Sequence, residues 1–159
     1  MLLEKKLAAG TWGNISVRQS KEEFLITSSG HPYETLAEAE ICQVVIADGS
    51  QSGGRLTPSS ETPLHRAIYQ ARSDIGAIVH THSLYASACA VAGKAIPPII
   101  EDLIQLAGGA IQVADYALPG TEALAAAAVN ALGDRQAVLL ANHGAVACGE
   151  TLAEALMIA

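Results

Sequence analysis

Aromatic residues make up only 4% of this 159-residue chain, so the rings that usually anchor an interior are scarce. The core has to be built from Ala, Val, Leu and Ile in mixed helices and strands. Basic residues are thin as well: nine against sixteen acidic ones, a formal net charge of -7 at pH 7, scattered singly apart from Lys5-Lys6. Nucleic acid and anionic membrane surfaces are bound through clustered cations, so this balance argues against both, and any phosphate must be met locally. The three cysteines, Cys42, Cys89 and Cys148, are odd in number, widely spaced and set in apolar stretches. That pattern fits reduced, buried thiols in a cytoplasmic protein, not a disulfide framework or a zinc knuckle, and gives them no catalytic role. The charged opening Met1 to Lys6 leads into no apolar segment and is not a signal peptide. The charge-free stretch from Ile75 to Gly93 is interrupted by His80, Thr81, His82, Ser83, Tyr85 and Ser87 too often for a membrane span. A soluble single domain over residues 1–159 is expected, long enough to bury about two-thirds of its unfolded surface.

Taken in order, residues up to Ala9 read as the last turns of a helix closed by Gly10. So short an opening implies a longer N-terminal helix that has been lost or was never there. A tight glycine turn, Gly10-Thr11-Trp12-Gly13-Asn14, feeds a strand alternating Ile15 and Val17 with polar neighbours, and Phe24 to Thr27 pairs with it as a hairpin. A third strand, Cys42 to Ala47, ends at Asp48-Gly49, and a polar loop follows over Ser50 to Arg55. Thr62 and Pro63 read as N-cap and first residue of a helix to about Arg72, on which His65 and Tyr69, four apart, are expected to pack together in a structural role. Further on come a helix from Ser83 to Val91, a short helical or irregular piece from Ile99 to Leu106, and a strand from Ile111 to Ala114. Thr121 caps an alanine-rich helix to about Leu132, strands run from Gln136 to Ala141 and Ala145 to Cys148, and Thr151 with Glu154 forms a capping box. That last helix stops at Ala159 with its apolar pattern still running, so a longer design, cut in its C-terminal helix, is expected.

The chemistry concentrates at His80-Thr81-His82, which ends the apolar run Ile75 to Val79. On a strand, side chains two apart leave the same face, so both imidazoles can reach one ion while Thr81 points away. A single histidine beside a strand is ordinarily a hydrogen-bonded core residue; a same-face pair is a stronger signal. Asn142-His143-Gly144 offers a third imidazole, again just after an apolar run, and Pro58-Ser59-Ser60-Glu61 a carboxylate. Three neutral nitrogens and one carboxylate suit one divalent ion per chain, of the zinc type or Mn2+ or Co2+. Three turns rich in small residues and donors, Thr11 to Asn14, Thr27 to Gly30 and Ser59-Ser60 at a helix N-terminus, describe a pocket for a phosphate or carboxylate without any lysine.

Five motifs in order, Gly-Thr-Trp-Gly-Asn-Ile-Ser, Thr-Ser-Ser-Gly, Pro-Ser-Ser-Glu, Val-His-Thr-His-Ser and Asn-His-Gly, span nearly the whole chain, and through them it resembles the class II aldolase/adducin head family. The resemblance implies an α/β fold, a three-layer α/β/α domain around a mostly antiparallel sheet, assembled as a homotetramer with sites between subunits. It implies that His80, His82 and His143 bind zinc, that Glu61 is the catalytic acid/base and a fourth ligand, and that Asn14, Ser29, Gly30, Ser59 and Ser60, together with Thr11, hold the phosphate. The activity it implies is zinc-dependent aldol cleavage of a small sugar phosphate through a metal-stabilised enediolate, with epimerase, dehydratase and decarboxylase as related alternatives. Two departures bear on substrate. Aldolases of the family carry a tyrosine before the glycine pair where this chain has Glu101-Asp102-Leu103, and a further tyrosine in a tail beyond Ala159. A non-catalytic adducin-like scaffold should have lost ligands, and this chain keeps all four. A purely structural zinc site would be closed and cysteine-rich, and no cysteine here adjoins a ligand.

Overall fold

The computed structural model describes residues 2–159, and Met1 of the expected opening helix lies outside the described residues. Eight strands form one sheet: β1 (Asn14–Arg18), β2 (Glu23–Ile26), β3 (Cys42–Val45), β4 (Gln51–Gly53), β5 (Ala77–Thr81), β6 (Gln112–Ala114), β7 (Ala137–Leu140) and β8 (Gly144–Gly149). Their order across the sheet is β4-β3-β2-β1-β5-β8-β7-β6. Every neighbouring pair is antiparallel except β6 with β7.

The layers follow from which side chains need cover. Helices α1 (Thr62–Ala71) and α4 (Glu122–Leu132) lie on one face over the larger apolar residues, including Phe24, Ile26, Leu64, Ile68, Leu124 and Leu140. On the other face α2 (Leu84–Val91), α3 (Glu101–Ala107) and α5 (Leu152–Ile158) pack through smaller ones, among them Ala77, Ala90, Ala107, Ala137 and Ala155. The central strand β5 is buried at all five positions, with the apolar Ala77, Ile78 and Val79 followed by the buried polar His80 and Thr81. This is the three-layer α/β/α domain with a mostly antiparallel sheet that the motifs imply.

Local structure departs from expectation at four places. The opening segment is a single wound turn, closed four residues before Gly10: Lys6 N–H donates to Leu3 O and Leu7 N–H to Leu2 O, with Lys6 in the left-handed region at φ 57. That is a Schellman closure formed without glycine, which a search for glycine stops passes over. Strand β4 falls in the expected polar loop, because a three-residue edge strand with exposed Gln51 and Ser52 has no apolar face to give a periodicity. Helix α1 begins one residue early, making Glu61 its N-cap and Thr62 its first residue; the Thr62 hydroxyl turns back to donate to Ser59 O at 2.7 Å. Finally, Thr151 caps α5 as expected, accepting from Glu154 N–H, but the Glu154 carboxylate returns to the N–H of Glu150, one residue upstream of the cap.

Candidate active site

Strand register builds the site. Asn14, the first residue of β1, pairs with His80 near the end of β5, and Thr81 pairs with Ala145 on β8. The β7–β8 turn carries His143 to the same end of the sheet, with Asn142 at φ 56 and His143 N–H donating to Leu140 O at 3.0 Å. Backbones approach closely here. A Cβ on Gly144 would lie 2.3 Å from Thr81 O, and one on Gly13, at φ +75, would lie 2.6 Å from His80 O. Only glycine satisfies both positions.

The three imidazoles stand nearly edge to face, with ring centroids 4.8 to 5.0 Å apart. Their supports differ, and the buried Nδ1 of His143 has no hydrogen-bond partner among the described residues. His80 is fully buried and its Nδ1 faces Ala145 O at 3.0 Å, which makes Nδ1 the N–H donor and leaves a lone pair on Nε2. His82 donates its backbone N–H to Leu7 O, and its ring lies 5.7 Å from that of Trp12. Glu61, at the N-terminus of α1, brings Oε2 to 2.9 Å from His80 Nε2 and Oε1 to 3.5 Å from His143 Nε2.

A nitrogen lone pair cannot rest 2.9 Å from a carboxylate oxygen and 3.1 Å from His82 Nε2 unless a cation, a proton or a metal ion, lies between them. The ligand atoms of His80, His82 and His143 all fall within 4.8 Å of one another. Bonds of about 2.0–2.1 Å to a tetrahedral ion put nitrogens about 3.4 Å apart, so the donor set fits a zinc-type ion with small adjustments. The titration states agree. Burial pushes His82 down to about 4, helped by the neighbouring His80 and His143, and burial also lowers His143. Both are therefore neutral near pH 7, as metal binding requires. Burial alone would raise the Glu61 carboxyl, but the hydrogen bond and charge of His80, the charge of His143 and the Asn14 amide more than offset it and hold the group at about 2.

A cleft of about 430 Å³ opens in front of these groups, lined by Glu61, His82 and His143 on one wall. Thr11, Asn14, Ser29, Gly30, Ser59 and Ser60 line the rest of its wall, so every residue singled out for phosphate is in one cleft with the metal-ligand candidates. Two turns far apart in sequence are zipped together to make this wall. Ser28 bridges Pro58, Ser29 N–H donates to Thr57 O, and Ser59 N–H donates to Thr27 O. Glu101 and Asp102 are not there: both are exposed in the first turn of α3.

Further residues contribute that were not singled out for the site. Ser28 lines the cleft with a buried Oγ that has no hydrogen-bond partner among the described residues. Trp12 lies at its mouth, 63% exposed. His65 and Tyr69 meet through the Ser16 hydroxyl, at 2.6 and 2.8 Å, and His65 reaches on to Asn14 Oδ1 at 2.5 Å. The polar alternation Asn14, Ser16, Arg18 on β1 was the available signal: a polar face on a central strand must have partners.

Comparison with known proteins agrees with this geometry. The chain is 40% identical over 153 residues to the L-fuculose phosphate aldolase of Escherichia coli (strain K12), covering 96% of this chain and 70% of the relative. It is 39% identical over 160 residues to the 5-deoxy-D-ribulose 1-phosphate aldolase of Bacillus thuringiensis serovar kurstaki, covering 99% of this chain and 74% of that one. A solved structure of L-fuculose 1-phosphate aldolase superposes with a TM-score of 0.93 at 40% identity, over 99% of this chain and 74% of the other. The sequence profile of the Class II Aldolase and Adducin N-terminal domain matches residues 1–159, and the chain, with its three histidines beside a buried glutamate at one cleft, belongs to that family of class II aldolases.

Proposed function

We propose that this protein is a zinc-dependent aldolase that cleaves a small ketose 1-phosphate into dihydroxyacetone phosphate and an aldehyde. The observation that carries it is Glu61, ionised and buried beside the imidazoles of His80, His82 and His143 in a cleft that hydroxyls and glycine also line. Its named relatives act on fuculose phosphate and on 5-deoxyribulose 1-phosphate, which supports a phosphorylated ketose. His80, His82 and His143, with Glu61, would hold the ion. When bound it supplies Lewis-acid stabilisation of the negative charge that develops on substrate oxygen as the carbon–carbon bond opens to an enediolate. Asn14, Thr11, Ser29, Gly30, Ser59 and Ser60 orient the phosphate at the opposite end. Glu61 moves the proton at the carbon beside the ketone, for which a carboxylate in hydrogen-bond reach of that carbon is sufficient.

We place the enzyme in the cytoplasm as a homotetramer. Among the described residues no helix is long and apolar enough to cross a membrane. Leu84, Tyr85, Ile99 and Ile100 are all more than half exposed on the α2–α3 side, an apolar surface that self-association would cover. The reaction is tested by incubating metal-replete protein with a panel of ketose phosphates and aldonate phosphates and identifying products by mass. Dihydroxyacetone phosphate with an aldehyde is the expected outcome. An epimer, loss of water or release of carbon dioxide would each replace aldol cleavage with the corresponding reaction of the family.

A further inference from the structure

Behind Glu61 a chain of buried polar side chains runs into the core. It exists because β1 and α1 are in step: Asn14 and Ser16 leave one face of the strand two residues apart, and Glu61, His65 and Tyr69 follow one face of the helix at four-residue spacing. Asn14 Nδ2 lies 3.0 Å from Glu61 Oε2, Asn14 Oδ1 lies 2.5 Å from His65 Nε2, His65 Nδ1 lies 2.6 Å from Ser16 Oγ, and Ser16 Oγ lies 2.8 Å from the Tyr69 hydroxyl. All four supporting residues are at most 4% exposed, so water cannot substitute for a lost link.

Only one direction of donation satisfies every atom. An ionised Glu61 accepts only, so Asn14 must turn its N–H2 toward it; the reverse would set an amide oxygen 3.0 Å from a carboxylate oxygen. Asn14 Oδ1 then faces His65, and Nε2 must carry the proton. A neutral imidazole with its proton on Nε2 is an acceptor at Nδ1, so Ser16 donates to it and accepts in turn from Tyr69. Every donor in the chain points toward the carboxylate.

We propose that His65 is a positioning residue for Glu61: as the Nε2–H tautomer, with the Ser16 hydroxyl on its Nδ1, it donates to the Asn14 amide oxygen and so keeps the amide N–H, and not oxygen, against the catalytic carboxylate. The proposal rests on the reading of Glu61 as the acid/base and adds the element that keeps it in place. His65 is fully buried, and burial favours the neutral ring that a one-way chain requires. Without the Ser16 hydroxyl the buried Nδ1 lone pair has no donor, and the Nε2–H tautomer loses that stabilisation. An Nδ1–H imidazole would accept at Nε2, the Asn14 amide would flip, and its oxygen would oppose Glu61.

The test begins on the wild-type, zinc-loaded protein with 15N-labelled histidine, since ring-nitrogen shifts report the tautomer directly. The His65 signals are identified by their loss in His65→Gln. A protonated Nε2 and a bare Nδ1 at pH 7 are expected; the Nδ1–H tautomer or an imidazolium overturns the proposal. Kinetics then ask whether the chain acts through Glu61. Ser16→Ala should lower kcat about 10- to 100-fold, the cost of misaligning one charge-assisted hydrogen bond, with KM within about twofold and zinc content unchanged. Tyr69→Phe, which leaves the Ser16 donor in place, should lose less than about fivefold. His65→Gln, which retains an N–H near the Nε2 position, should exceed His65→Leu by at least about tenfold in kcat. Equal rates in these two variants, or wild-type kcat in Ser16→Ala, would overturn it. Failure of the Glu61 reading itself looks different: Glu61→Gln keeps wild-type turnover while the tautomer stands as stated, and the positioning role then falls.

Discussion

The two walls of the cleft are built by opposite means. The wall bearing Glu61, His80, His82 and His143 rests on the end of β5, the β7–β8 turn and the N-cap of α1, and is backed by Ala145 O at the His80 ring, by Leu7 O and Leu140 O at the backbone N–H groups of His82 and His143, and by Asn14 at Glu61. The facing wall is made of turns, and Thr11, Ser29, Gly30 and Ser60 on it are exposed. The contrast suits the division of labour proposed for the two halves. Holding an ion and moving a proton tolerate displacements of about half an ångström, and rigid elements with locked rotamers supply that precision. An anionic group with several oxygens can be met by any of several hydroxyls and N–H groups, and turns provide those cheaply.

The sharpest way to break this comparison is to remove one group at a time from the rigid wall. His82→Ala should lose most of the roughly one zinc-type ion expected per chain, because three ligands seldom hold what four do. Full occupancy, measured by elemental analysis after purification without chelator, would remove the central claim. Glu61→Gln separates binding from chemistry. The amide is nearly isosteric and still offers an oxygen to the Asn14 N–H, so fold and most of the metal should remain while kcat falls about 10²–10⁴-fold. Solvent deuterium exchange into dihydroxyacetone phosphate, with metal assayed on the same sample, checks it; wild-type exchange would assign the base elsewhere.

The facing wall should respond in a different parameter. Ser60 is exposed and its side chain caps nothing, so Ser60→Ala should leave fold and metal untouched. If its hydroxyl donates to the phosphate, KM should rise about tenfold for the loss of one charge-assisted hydrogen bond, with kcat changed less than about twofold. A fall in kcat at constant KM would mean that the two walls do not divide labour in this way.

The sequence disclosed the rigid wall more fully than its support. His80 and His82 were legible because period two on a strand is a geometric certainty once the apolar run is recognised, and His143 and Glu61 because their turns are distinctive. The meeting of Thr27–Gly30 with Thr57–Ser60 was legible only as two similar turns, since the bridge from Ser28 to Pro58 joins residues with no local signal between them. The role of His65 was hidden for a related reason. Spacing of four predicts that His65 and Tyr69 share a helix face, and it is silent about which strand residue stands opposite; the register of β1 against α1, set by the whole sheet, put Ser16 and Asn14 there. Strand β4 and the Lys6 closure were missed because polar edge strands and non-glycine left-handed caps carry no pattern to read.

The smallest effect concerns acid, and it distinguishes the walls without substrate. Hydroxyls and glycine do not titrate, so the anion wall is indifferent to pH. His65 is fully buried and held at about 3 against an ordinary 6.5. Its folded value is depressed, so the unfolded chain binds this proton first, and stability is complete above pH 6.5 and lost as pH falls toward 3. Glu61, at about 2 against an ordinary 4.5, adds to the loss only below about pH 4.5. The window from 6.5 to 4.5 therefore belongs to the histidines, and His65, fully buried and lowered to about 3, should contribute a limiting slope of about 1.4 kcal/mol per pH unit. Urea midpoints measured at pH 7, 6 and 5, with chelator present so that metal release does not add to the change, should fall steadily for the wild type. His65→Gln removes the titrating ring, and its midpoints should fall less steeply across the same range, with the residual slope left to His82 and His143. Parallel wild-type and His65→Gln curves would mean that His65 is protonated in the folded protein near neutral pH, and an imidazolium there would force Asn14 and Ser16 into a different set of hydrogen bonds.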